Sequence, residues 1–416
     1  MRWADVRVSD NEPVSGDPTG DHAFIDTVDG DPVAPTTPAA GLPKRTQILL
    51  IAVFTLVATL LYGVGAWGLF PGEAQWPSAL AWAGRATLAL GAIALVALTV
   101  RANSGQGTDA QGRGGHVLLG LGWILFSMTL VTDLVLRLPL LMAGVPNPLR
   151  SRLVAVALLL LVVTLAVTGW REAVRVPRVR RVAVPIHGLA PASVGTTIAV
   201  LTDTHFDAWT SRGWADGVVD AVNGLDPDIV VHAGDLADGS IAQRGEQVAA
   251  LAGVRATQRY YIAGNHEYYS GVDAWLSQMD AHGWRVLLND HAVHDGRLVF
   301  AGIDDPTGAA EGRGPDLDAA LLGAPSDLPV ILLAHQPHLI RDSRDRVDLQ
   351  ISGHTHGGQI WPFHILVRLR EPVVQGLSLQ GDRTRLYTSR GVGFWGPPFR
   401  VFAPSEISLL TLVRAG

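Results

Sequence analysis

Four runs in the first half of the chain dictate where it can fold. Ile48 to Phe70 and Ser78 to Val100 are almost free of charge, and at roughly 20 residues each they are long enough to cross a bilayer as helices. Val117 to Leu138 and Leu153 to Gly169 follow, the last being the shortest. These four spans explain why 48% of the 416 residues are hydrophobic and the mean hydropathy is +0.24, high for a soluble chain of two domains. The first run comes after a long polar stretch and three more follow it, which fits an integral anchor better than a cleaved leader.

The segments around the spans read differently. Residues 1–46, rich in Asp, Pro, Gly and Thr, have little to bury and are expected to be a disordered polar tail. Ser104 to Gly115 is expected to be a flexible loop. Asp133 and Arg137, four residues apart in the third span, share a helix face and read as a structural pair, or as a snorkelling anchor in the case of Arg137 beside Pro139.

Basic residues near span ends set orientation. Lys44, Arg45, Arg101, Arg113, Arg171, Arg175, Arg178, Arg180 and Arg181 lie on one side, against Arg150 and Arg152 in the third loop and Arg85 near the start of the second span. Both ends are therefore predicted inside, with the second half of the chain cytoplasmic. Residues 173–190 read as a basic linker that would hold a domain spanning 191–416 against anionic headgroups. A net charge of -6 gives no reason to expect nucleic acid as a partner.

In that second half, TTIAVLTD, PDIVVHAGD, QRYYIAGN, LPVILLAH and DLQISGH are short β-branched runs bounded by Gly, Pro, Asp or Asn, as buried strands are. Helices are predicted near Arg212 to Leu225, Ala242 to Arg255 and Val272 to His282, an alternation that argues for an α/β layered domain. HAVHDGRLVFAGIDD reads as a hairpin turning at Asp295 and Gly296.

Each of the five apolar runs ends on polar residues of one kind. They are Asp203 and His205 in LTDTHF, Asp235 in VVHAGDLAD, Asn265 and His266 in YYIAGNHE, His335 in ILLAHQP, and His354 and His356 in ISGHTHGGQ. Ligands of open α/β sheets gather at the carboxyl ends of strands, so the five blocks can converge on one crevice. Carboxylate, imidazole and amide oxygen together suit Mn, Fe or Zn, and the absence of cysteine excludes a sulfur site. His232, His282, His291, His294, His338 and His364 read as hydrogen-bonded structural residues.

The order D-x-H, G-D-x-x-D, G-N-H-E, a lone His and G-H-x-H over residues 203–359 resembles the calcineurin-like metallophosphoesterase family, and RGVGFWGPPFRVFAPSEISLLTL (390–412) resembles the tail of its branch of small predicted phosphohydrolases. The resemblance implies two sheets packed face to face with helices outside, an α/β/β/α sandwich following a bundle of about four transmembrane helices. It implies one divalent ion held by Asp203, His205, Asp235 and His356, and a second by Asp235, Asn265, His335 and His354. Asp235 would be the shared carboxylate that keeps the ions about 3.5 to 4 Å apart. A water or hydroxide between them would be the nucleophile. His266 would serve as general acid or as a stabiliser of phosphoryl charge, with Asp238 and Glu267 orienting imidazoles or backbone.

The chain therefore reads as a membrane-anchored dinuclear-metal phosphoesterase, hydrolysing phosphoester or diphosphate bonds on a lipid-linked or membrane-proximal substrate and contacting membrane lipids. A phosphodiesterase acting on a soluble nucleotide is the alternative. A membrane sensor or scaffold that keeps the fold without the chemistry is disfavoured, because Asp235, Asn265 and His266 are all retained. A transporter is disfavoured by the scarcity of polar residues in the spans.

Overall fold

The computed structural model describes residues 44–103 and 107–416, so the polar tail expected over 1–46 lies, up to residue 43, outside the described residues. Four helices long and apolar enough to cross a membrane come first. They are α1 (Lys44–Leu69), α2 (Ser78–Ala102), α3 (Asp109–Met142, passing through a π-helical turn at Asp133–Arg137) and α4 (Leu149–Val174). In that turn Arg137 Nε donates to Asp133 Oδ1 at 2.6 Å and the guanidinium lies 5.0 Å from the Trp67 ring centroid, so the two charges form the structural pair.

Two helices are longer than the hydropathy suggests, and the loop expected over Ser104–Gly115 gives way to helix from Asp109. Thr108 caps it, its Oγ1 accepting from the Gln111 N–H and its own N–H donating to Gln111 Oε1, which satisfies two terminal donors reciprocally. This helix also finds partners in the second half of the chain. Arg244 grips Asp109 with both Nη atoms at 3.1 and 3.2 Å, Arg113 donates to the Ala208 carbonyl at 3.0 Å, and Trp123 Nε1 donates to the Ile360 carbonyl at 3.1 Å. Ile124, Leu125, Met128, Leu158 and Leu165 of the helices share one core with Ile360, Phe399 and Val401.

The remainder is two six-stranded sheets. Its strands are β1 (Arg178–Ile186), β2 (Thr197–Leu201), β3 (Ile229–Ala233), β4 (Gln258–Ile262), β5 (Arg285–Val286), β6 (Asp290–His294), β7 (Leu298–Gly302), β8 (Val330–Leu333), β9 (Leu349–Ser352), β10 (Gly376–Gln380), β11 (Thr384–Thr388) and β12 (Glu406–Arg414). One sheet runs β1-β12-β2-β3-β4-β5 and the other β10-β11-β9-β8-β7-β6. Val200, Val231 and Ile262 of the first face Phe300, Ile331 and Ile351 of the second across a shared core. On the outer side of the first sheet lie α5 (Arg212–Asn223), α6 (Ile241–Val248) and, after the short α7 (Asn265–Ser270), α8 (Val272–Ala281), burying Val218, Val222, Val248, Trp275 and Met279. Leu317, Ala320 and Leu339 cover the outer side of the second sheet. The expected α/β/β/α layering is thus the observed one. The hairpin is present too, β6 antiparallel to β7 with Asp295 (φ 49°) and Gly296 (φ 65°) both left-handed, as a tight D-G turn requires.

The expected basic linker is corrected over 178–186. RVRRVAVPI is an edge strand, β1, paired in parallel with β12. Val184 and Ile186 point into the core while Arg178 and Val179 stay exposed, and charged residues on an edge discourage further strand pairing.

Candidate metal centre

All five polar blocks sit just past the carboxyl end of a strand. Asp203 and His205 follow β2, Asp235 follows β3 and Asn265 follows β4, three mutually parallel neighbours; His335 follows β8 and His354 and His356 follow β9, parallel neighbours in the other sheet. Strand edges of both sheets therefore empty into one crevice. Asp203, His205, Asp235, His354 and His356 all have φ between 41° and 70°, a left-handed backbone uncommon for residues with side chains and costly outside glycine. Tight packing forces the glycines between them: Gly234 has φ 90°, and a Cβ there would come within 2.7 Å of the Gly264 nitrogen and of His335 Nδ1.

The side chains from these loops form three groups, one of them His205, Asp238 and His266, and the other two meet at Asp235. Asp203, His205 and His356 are mutually close, as are Asp235, His335 and His354. His205 Nε2 lies 3.6 Å and His335 Nε2 3.1 Å from Asp235 Oδ2, so that carboxylate stands between the groups. His205 Nε2 and His356 Nε2 face one another at 3.1 Å. Backbone donors fix the two carboxylates. The N–H of His266 donates to Asp235 Oδ1 and that of His354 to Asp203 Oδ1, both at 2.9 Å.

The imidazoles are oriented from behind. His335 Nδ1 donates to the Ala233 carbonyl at 2.8 Å, leaving Nε2 directed at Asp235. Asp238 Oδ1 accepts from Nδ1 of both His205 (3.0 Å) and His266 (2.6 Å), so one carboxylate sets two rings and leaves each Nε2 facing the crevice. Buried Glu267 accepts from the backbone N–H groups of Asp235, Leu236 and Gly264, tying the loops after β3 and β4 together. Burial alone would lower the pKa of His205, but Asp238 and then Asp235 and Asp203 override it and raise it to about 9. Burial alone would raise Asp235, and His335 beside it holds it well below the carboxylate range. Burial lowers His354 to about 3, with His335 adding to the effect, so the ring is neutral and its lone pair is available.

The calcineurin-like phosphoesterase family profile matches residues 196–358. An uncharacterized metallophosphoesterase of Helicobacter pylori is 37% identical over 249 residues, 59% of this chain and 66% of its own length. Another, of Campylobacter jejuni, is 36% identical over 297 residues, 70% of this chain and 78% of its own. This chain belongs to the calcineurin-like metallophosphoesterase family. A transmembrane protein with metallophosphoesterase domain from Danio rerio is 33% identical over 271 residues, 62% of each chain. That relative and the four apolar helices agree on a membrane-associated metallophosphoesterase domain, metal-dependent in its phosphoesterase chemistry.

The donor set of this metallophosphoesterase domain fits divalent metal. Asn265 Oδ1 is buried without a hydrogen bond, and a buried acceptor left unpaired is costly unless a cation takes its lone pair. All seven residues expected as ligands, with His266, line or adjoin this crevice. Of the other histidines, His232 is buried against Thr204 and held down to about 3 by burial and then His335, while His338 and His291 bond Glu371 and the Ala320 carbonyl. Arg400 escaped sequence reasoning: fully buried, it donates to the carbonyls of His356, Gly393 and Ala403 and so fixes the loop after β9. Nothing in FRVFAP distinguishes it from a surface arginine.

Proposed function

We propose that the protein is a dinuclear-metal phosphoesterase that hydrolyses a phosphoester or diphosphate bond of a lipid-linked or membrane-proximal substrate. The observation that carries this reading is Asp235, standing between two groups of ligand-type side chains. Asp203, His205, Asp235 and His356 would hold one metal ion, and Asp235, Asn265, His335 and His354 the other. When bound, the metals supply positive charge against the phosphoryl oxygens and bring a water's pKa towards neutrality. His266 is not needed as a ligand. Asp238 holds its Nδ1, so its Nε2 is the atom free to give a proton to the leaving oxygen or a hydrogen bond to a phosphoryl oxygen. The short bond at 2.6 Å makes the ring's orientation part of the site before substrate arrives.

Metal analysis of the full-length protein in lipid nanodiscs tests the reading. Two divalent ions per chain are expected, with metal-dependent hydrolysis across a panel of phosphomonoesters, phosphodiesters and lipid diphosphates. One ion, or none retained, sinks the dinuclear assignment; turnover confined to soluble nucleotides removes the lipid-linked substrate.

The catalytic domain is proposed to be cytoplasmic. Four spans return the chain to the side from which it entered, and the basic residues at the start of α1, at the facing ends of α2 and α3 and from the end of α4 onward outnumber Arg150 and Arg152 at the start of α4. A reporter fused after Gly416 is expected to be active only inside the cell, and the domain is expected to resist protease added to intact cells. Cleavage of the domain in intact cells would place the substrate in the outer leaflet.

A further inference from the structure

A cavity of about 540 Å³ opens from the metal centre, and its two ends differ in chemistry. Asp235, Asn265, His266 and His354 form one end. Leu119 and Trp123 of α3, with Ile360, Phe363 and Leu366 of the loop and short helical turn after β9, form the other. The apolar wall is built, not incidental: Trp123 Nε1 bonds the Ile360 carbonyl, and the Trp123 and Phe363 rings meet edge to face with centroids 5.7 Å apart. In the same segment as Leu366, Ile365 is 55% and Leu369 81% exposed. Arg370 stands at the rim, its side chain mostly in solvent.

We infer that this cavity is a hydrocarbon subsite, taking the acyl or alkyl chain of an amphiphilic phosphoester whose phosphorus sits at the metal centre. The inference rests on the phosphoesterase reading above and specifies how its substrate is held. A pocket of this size, apolar with convergent polar groups at one end, matches a ligand with the same division. The membrane supplies the reason for the apolar half. Lifting a lipid headgroup out of the bilayer to a site in the aqueous domain strips its first methylenes of hydrocarbon, and each methylene wetted weakens binding about fourfold. A wall formed by a membrane helix and the catalytic domain together removes that cost, because the chain passes from lipid to Leu119, Trp123 and Leu366 without crossing water. Arg370 at the rim suits the anionic head. The wall needs α3, so the membrane helices are part of the substrate site and not merely a tether.

The test is photo-crosslinking with dodecyl phosphate carrying a diazirine at its terminal carbon, on the full-length protein in nanodiscs, with adducts mapped by mass spectrometry. Adducts on 119–123 and 360–367 are expected, suppressed more than about tenfold by excess unlabelled dodecyl phosphate and far less by inorganic phosphate at the same concentration, and reduced in Leu366→Gln. Adducts confined to lipid-facing residues such as Leu56, Leu130 and Leu160, or groove adducts insensitive to the competitor, overturn the inference. Hydrolysis of the panel of phosphomonoesters, phosphodiesters and lipid diphosphates is followed in parallel. Its absence alongside competed groove adducts counts against the phosphoesterase reading and leaves the subsite standing.

Discussion

Asp235→Ala is expected to strip the protein of metal and of hydrolysis together. Among the described residues Asp235 is the carboxylate that lies between the two groups of ligand-type side chains, 3.1 Å from His335 Nε2 and 3.6 Å from His205 Nε2, and its second oxygen is fixed by the His266 N–H. In the proposed dinuclear site, removing it would leave two like charges close together with no shared counter-charge, a repulsion that grows as the effective dielectric falls. Groups that only orient ligands typically cost 10- to 100-fold when lost, so removal of a shared ligand should exceed roughly 100-fold. Asp235→Asn keeps the shape and the hydrogen bond from His266 while deleting the charge, which separates metal loss from misfolding. Metal content by mass spectrometry and turnover are read on both variants. Two ions retained with near-normal turnover in either one would show the ligand map to be wrong.

Much of this centre was legible because its signals are local. Each ligand-type residue terminates a short β-branched run, and a parallel strand's carboxyl end is where such residues can meet, so β2, β3, β4, β8 and β9 could be placed from sequence with their polar termini. The D-G turn at Asp295 and Gly296 is local in the same way. What escaped depends on partners far along the chain. Arg178–Ile186 reads as basic because its strand identity comes from β12, more than two hundred residues later, whose register lifts Val184 and Ile186 into the core. Asp109 looks like loop until Arg244 grips it across 135 residues. Thr108 and Gln111 did carry a readable signal, the S/T-x-x-Q box, which the surrounding glycines masked. Arg400 had none, since only the assembled loops show four carbonyls converging on one guanidinium.

His266→Ala is expected to keep both metals while losing roughly 10² to 10⁴ in rate, the usual worth of a positioned acid or base. The geometry separates this residue from its neighbours. Its backbone N–H serves Asp235, a contact that alanine retains, whereas its side chain reaches Asp238 through Nδ1 and presents Nε2 to the crevice. Asp238 keeps its bond to His205 in the variant, so the ring facing His356 should not move. The loss should shrink for substrates whose leaving oxygen needs no proton: p-nitrophenyl esters should suffer less than alkyl esters, and the ratio of the two rates reads the role directly. An equal loss on both classes instead assigns His266 to charge stabilisation at the phosphoryl oxygens, which every substrate shares. Loss of one metal ion from the variant would make His266 a ligand, and one of His205, His335, His354 or His356 would then have to leave the proposed set.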